Sequence, residues 1–140
     1  MGKFIKQAEI EHEGFDWGDV GWRTYPKTGA EQLVVMDVTL EPGGGHDFHR
    51  HPGQEEVIIV KRGQITQYLE RESTTLGTDD SVFIDADQVH ASFNESSETA
   101  LLQVVIAPSK KEEATGYGLV DVSGEEPWAS LRDRSGAAAS

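Results

Sequence analysis

The chain has no cysteine among its 140 residues. Disulfides, thiolate metal ligands and cysteine nucleophiles are therefore excluded, while the redox compartment stays open. Basic residues are scarce too: 12 Lys and Arg stand against 25 Asp and Glu, a formal net charge of -13. Nucleic acid and anionic membrane surfaces both attract clustered Lys and Arg, so neither is an expected partner, and the acidity reads as solubility. No stretch approaches the roughly 18 consecutive apolar residues of a membrane span, and the opening MGKFIKQAEIEHEGF has no run that would serve as a signal-peptide core. A cytoplasmic protein is the expectation. Lys6 stands where a myristoylation signal needs Ser or Thr, and without a secretory signal the sequon Asn94-Glu95-Ser96 is read as a chance match.

The length suits one domain with one core. Long helical periodicity is lacking as well. Apolar, β-branched residues instead come in short runs: Gln32 to Leu40, Glu56 to Val60, Gln64 to Leu69, Ser81 to Ile84, Ala91 to Phe93 and Leu101 to Ile106. Turn signals separate them, among them Pro42-Gly43-Gly44-Gly45, Pro52-Gly53, Arg62-Gly63 and Gly77-Thr78-Asp79-Asp80. Closely spaced short strands of this kind predict an all-β sandwich or barrel. Met36, Val38 and Leu40 alternate with Asp37 and Thr39, the half-buried pattern of a barrel wall, whereas Val57-Ile58-Ile59-Val60 is apolar on both faces and belongs inside the sheet. Two short segments, Ser109 to Thr115 and Pro127 to Arg132, are candidates for a turn or two of helix. The small-residue ending 135–140 reads as a frayed tail.

Three of the five histidines fall in two strand-like segments, HRHPGQEEVIIVKRG and DADQVHASFN. Residues two apart on a strand share a face, so His49 and His51 can aim both imidazoles into one interior while Arg50 faces away. Glu55-Glu56 opens the buried strand that follows, where an unpaired carboxylate is costly and a metal ion would supply its partner.

Gly43, His49, His51, Glu56 and Gly63 reproduce the first motif of the cupin family, and HRHPGQEEVIIV resembles its germin-like, single-domain form. Of the second motif His90 and Asn94 hold their places, while Asp79, Asp85 and Asp87 stand where the family has glycine, proline and glycine. The resemblance spans roughly Leu33 to Ile106. It implies a double-stranded β-helix, or jelly-roll, barrel with short C-terminal helical turns: an N-terminal strand or extension over 1–30, a barrel core over 31–108, C-terminal strands and turns over 109–134, then the tail. It also implies one divalent metal ion on His49, His51, Glu56 and His90, with Asn94 holding a position at a strand end and Glu55 left solvated. His46 is expected at the rim, and His12 is given no role.

Three neutral imidazoles and one carboxylate suit Fe, Mn, Ni or Zn and do not choose among them; an ion preferring six ligands keeps positions for water or substrate. Strand parity carries Ile58, Val60 and Ser92 inward, with Phe48, Tyr68, Phe83 and Gln103 as further candidate lining residues. No Ser-His-Asp order or phosphate loop is recognisable. Two function classes follow. One is an enzyme acting on a small oxygenated molecule (an enol, ketone, phenolic or sugar acid), with non-redox isomerase, lyase or cyclase chemistry preferred over an Fe(II)-dependent dioxygenase. The other is a non-catalytic binder of a metal or small molecule. A homodimer paired through apolar N-terminal edges is also expected.

Overall fold

The computed structural model describes residues 1–132, so the tail over 135–140 and the end of the C-terminal segment lie outside the described residues. In chain order the strands are β1 (Glu11–Phe15), β2 (Gly18–Thr24), β3 (Val34–Leu40), β4 (Gly45–Arg50), β5 (Glu55–Arg62), β6 (Gln64–Leu69), β7 (Glu72–Gly77), β8 (Ser81–Ile84), β9 (His90–Phe93), β10 (Ala100–Ala107) and β11 (Val120–Asp121), followed by the single-turn helix α1 (Trp128–Leu131). All six apolar runs form strands. They are joined into two antiparallel sheets, β1-β2-β3-β10-β5-β8 and β11-β4-β9-β6-β7. The architecture is the expected all-β double-stranded β-helix. Among the described residues no helix is long and apolar enough to cross a membrane.

Alternation decides which side chains meet between the sheets. Along β3, Val34, Met36, Val38 and Leu40 are buried, and on β10 Leu102, Val104 and Ile106 join them. On β5, Ile58 and Val60 are buried, whereas Val57 and Ile59 are only half-covered; the strand is flanked on both sides by β10 and β8, but its outer face is less shielded than its unbroken apolar sequence suggests. A second cluster lies on the opposite face of the smaller sheet, where Phe48, Ala91 and Phe93 pack with Val89 and Val122, against Trp128 and Leu131 of α1.

The segment Ser109 to Thr115 does not form a helix. Glu113 N–H donates to Lys110 O, Gly116 N–H to Glu113 O and Lys110 N–H back to Gly116 O, which closes a loop of turns in place of a helical ladder too short to nucleate. At the other end of the chain, the β1–β2 hairpin tip is clamped to the start of β4 by a bond from Gly45 N–H to Trp17 O at 3.1 Å. A side chain at Gly45 would come within 2.5 Å of the Phe93 ring and 2.7 Å of Ser92 O, so only glycine lets β4 begin this close to β9. The sequence suggests an apolar N-terminal edge, but edge strand β1 is Glu11-His12-Glu13-Gly14-Phe15, exposed throughout.

Candidate metal centre

β4 and β9 bring His49 opposite His90 in register, and His51 follows β4 by one residue. Glu56 reaches toward them from β5 in the other sheet. One ring nitrogen from each of His49, His51 and His90 lies within 4.8 Å of the others. All four side chains are buried, at no more than 5% exposure. Glu56 Oε1 is 3.2 Å from His51 Nε2 and 2.9 Å from His90 Nε2.

The other nitrogen of each ring settles what these atoms offer. His49 Nδ1 lies 2.6 Å from Asp47 O, His51 Nδ1 2.7 Å from Gly118 O and His90 Nδ1 2.9 Å from Gln88 O. A carbonyl only accepts, so Nδ1 must carry the proton and donate, which leaves each neutral ring with a lone pair on Nε2. While the rings are neutral, three lone pairs and a carboxylate converge with no donor among the described residues. Glu56 Oε1 and His90 Nε2 are indeed buried without a hydrogen-bond partner. Burial pushes the His49 pKa well below its ordinary value. Burial alone would raise Glu56, yet His90 and His51 beside it hold its carboxyl well below the usual range; at His90 the same carboxylate outweighs burial and raises the imidazole. A divalent cation would resolve this surplus of acceptors. The residues fit such an ion, and their nitrogen and oxygen donors suit Fe, Mn, Ni or Zn alike.

The donors line a cavity of about 40 Å³ whose walls include Met36, Val38, Leu40, Ile58, Leu102 and Val104. Among the described residues neither Lys nor Arg lines it. Ser92 lies in its wall, and its hydroxyl donates to buried Gln67 Oε1 at 2.6 Å, which leaves its oxygen free to accept. Tyr117, unmarked by any motif, also lines it, edge-on to His51 at 5.3 Å. Burial, followed by the charge on Glu56, pushes the Tyr117 phenol up to about 12, so it keeps its proton at neutral pH.

The other candidate lining residues fall elsewhere. Phe48 neighbours inward-facing His49, so it points to the opposite face and is wholly buried in the second cluster. Tyr68 packs there as well, since Gln67 takes the inward position on β6. Phe83 precedes buried Ile84 and is 52% exposed. Gln103 stands between inward Leu102 and Val104, on the outer face of β10. Period-two parity accounts for all four. It does not account for His46, which shares a side with His49 because the β4–β9 register shifts between them; a bulge of this kind re-aims side chains. Trp17 lies against His46, delivered by the β1–β2 tip, and carries no sequence signal at all. Glu55 is exposed, while Asn94 Nδ2 donates to Leu40 O at 2.8 Å and Glu98 O at 2.7 Å, tying strand ends together. Asp79 and Asp87, standing where the motif has glycine, keep left-handed backbones at φ of 72° and 68°.

Comparison with known proteins agrees with this geometry. A family model described as the cupin domain matches residues 36–106. Among solved structures, the polyketide cyclase RemF from Streptomyces resistomycificus superposes with a TM-score of 0.70 at 20% identity, covering 98% of each chain. KdgF from Halomonas sp. gives a TM-score of 0.70 at 16% identity over 80% of this chain and 98% of that one. The protein TT1209 from Thermus thermophilus is 29% identical over 62% of this chain and 83% of its own, with a TM-score of 0.55. No curated protein sequence matches.

Proposed function

The chain belongs to the cupin family, and on that footing we propose that it binds one divalent metal ion through His49, His51, Glu56 and His90 and acts on a neutral enol, ketone or phenol by non-redox isomerisation, elimination or cyclisation. The observation that carries this reading is the set of converging lone pairs in the wall of a cavity that, among the described residues, no Lys or Arg lines. A sugar acid's carboxylate would have the ion alone to meet it, since among the described residues no Lys or Arg lines the cavity. When bound, the ion supplies Lewis acidity to an oxygen of the substrate. The chain supplies the rest. The apolar walls exclude water and strengthen every charge interaction inside. Ser92, its proton committed to Gln67, accepts a hydrogen bond from a substrate hydroxyl, and protonated Tyr117 holds a proton to donate to an oxygen or carbon gaining charge. The full-length likeness to a polyketide cyclase supports cyclisation within this class, because it includes the N- and C-terminal segments that contribute Trp17 and Tyr117.

The test is a panel of neutral enols, ketones and phenols beside sugar acids, assayed with Fe(II), Mn(II), Ni(II) and Zn(II), with and without oxygen. Turnover of neutral compounds independent of oxygen is expected. Oxygen uptake that tracks substrate loss would establish a dioxygenase instead, and ligand binding without turnover under every metal a binding protein. A homodimer paired along the free edge of β1 belongs to the same proposal, and sedimentation at micromolar concentration tests it.

A further inference from the structure

The cavity is small for the ligand class proposed above. At about 40 Å³ it holds an ion's water or a reacting oxygen, and a conjugated ring does not fit within it. Outside it lies an open depression of about 370 Å³ that shares Trp17, His46 and His49 with the cavity wall. These three rings are stacked in a row. His46 lies 4.3 Å from Trp17 at an interplanar angle of 4°, and 3.8 Å from His49 at 22°. Phe15 continues the row outward, 5.3 Å from Trp17 at 12°.

The members of this row are not held equally. His49 is fixed by its bond to Asp47 O, and the Trp17 backbone is clamped to β4 through Gly45. The His46 ring makes no hydrogen bond among the described residues; it has two stacking contacts and the nearby charges of Glu56 and Asp121. It therefore fills a slot one ring thick, between a hydrogen-bonded metal-ligand candidate and an indole carried on a clamped backbone, without a hydrogen bond of its own.

We infer that this slot is the binding place of a flat conjugated ring carrying an enol or phenol oxygen, with His46 as the side chain that yields to it. The inference rests on the metal reading above. In the occupied state the ring takes the place of the imidazole against Trp17, its oxygen reaches the cavity, and the rest of the molecule lies in the depression. Displacement costs little because the ligand restores the stacking that His46 gives up. Asp47 and Asp121 also line the depression, with neither Lys nor Arg among the described residues, so a neutral hydroxylated ring is favoured over an acid.

Cobalt(II)-loaded protein tests this, with the visible absorption bands of the ion reporting ligand binding. Two bidentate oxygen ligands serve as probes: maltol, a flat hydroxypyranone, and acetohydroxamic acid, which has no ring. Trp17→Ala should weaken maltol about tenfold and leave acetohydroxamic acid within about threefold, and Trp17→Phe should restore most of the loss. His46→Ala should bind maltol at least as tightly as the unaltered protein and keep its cobalt. Equal weakening of both probes in Trp17→Ala, or no change in either, overturns the slot. So does loss of maltol binding or of cobalt in His46→Ala, since His46 would then be a binding surface or a ligand. If neither probe perturbs cobalt in the unaltered protein, the open metal position of the proposed function fails, and this inference with it.

Discussion

Two histidines three residues apart on β4 stack on each other and are held in opposite ways. His49 is buried, its Nδ1 bonded to a backbone carbonyl and its other ring nitrogen gathered with those of His51 and His90. His46 is half-buried and, among the described residues, held by ring contacts and nearby charges without a hydrogen bond to its ring. Residue type is the same, so the difference lies in the backbone. Regular pairing gives His49 a fixed orientation, and the bulge between them turns His46 onto the same side without giving it a carbonyl. Rigid donors keep an ion site preformed, and a loosely held ring at its mouth leaves the entrance adjustable.

The widest separation is expected in metal content. His51→Ala and Glu56→Gln should each weaken metal binding by at least about 100-fold, because even partners of ligands cost about 10–100-fold. His46→Ala should retain one equivalent after dialysis. Excess metal should raise the stability of the unaltered protein and of His46→Ala by about 2.7 kcal/mol at 100 times the dissociation constant, and not that of Glu56→Gln. Elemental analysis and thermal melts check this, and full metal content in Glu56→Gln would remove the carboxylate from the assignment.

The neighbouring residue sharpens the contrast between faces. Phe48 is wholly buried in the second cluster, in edge contact with Tyr68 at 5.1 Å and Phe93 at 6.0 Å. Phe48→Ala should cost about 3–5 kcal/mol in denaturant unfolding. Where it remains folded its metal stoichiometry should be unchanged, and a depleted site would show that the two faces of β4 are not independent.

Acid separates the histidines in another way. Burial lowers His46 to about 4 and His49 well below its usual value. Between pH 6.5 and about 4 the unfolded chain therefore takes up protons that these native rings refuse, and their contribution makes the metal-free protein less stable as pH falls. Glu56, held low, adds stability that is lost at still lower pH as it protonates; His90, held high, acts oppositely, its contribution present in acid and lost as pH rises through its raised value. His46→Gln should flatten the loss below pH 6.5, and an unchanged slope in pH-dependent melts would mean that His46 is freely solvated.

How much of this is legible in the sequence follows from what each feature depends on. Strand positions and the pair His49 and His51 follow from local alternation, and the first cupin motif adds Glu56 because its spacing spans a turn that local periodicity does not cross. His90 is readable only through the resemblance. Side-chain character suggests inward places for Phe48, Tyr68, Phe83 and Gln103, whereas parity from His49, Ile84 and Leu102 sends Phe48, Phe83 and Gln103 outward; period two is the stronger constraint because the pleat fixes it. Trp17 and Tyr117 are invisible in sequence because they reach the cavity from a hairpin tip and a C-terminal loop, by contacts with no periodic signature. His46 is visible as a residue, but its orientation depends on a bulge.

The smallest expected effect separates two aspartates that stand at motif glycine positions. Asp79 and Asp87 both have positive φ, a region costing about 1–2 kcal/mol for most side chains and less for Asp, whose short polar group tolerates it. Glycine relieves that strain but enlarges the freedom of the unfolded chain, so the net gain at Asp79 should be no more than about 0.5 kcal/mol. Asp87 differs in one contact, because its carboxylate accepts a bond from Arg50, whose neighbours on β4 and beyond are His49 and His51. Asp87→Gly loses that pair, worth about 0.2–1 kcal/mol at an exposed site, which offsets the relieved strain. The expected order is thus Asp79→Gly slightly stabilising and Asp87→Gly neutral or slightly destabilising, with the Asp87 deficit shrinking in high salt. Paired denaturant titrations at low and high salt resolve the difference. If both gain equally, the Arg50 pair contributes nothing, and if Asp79→Gly loses stability, aspartate is holding its left-handed turn through an interaction of its own side chain.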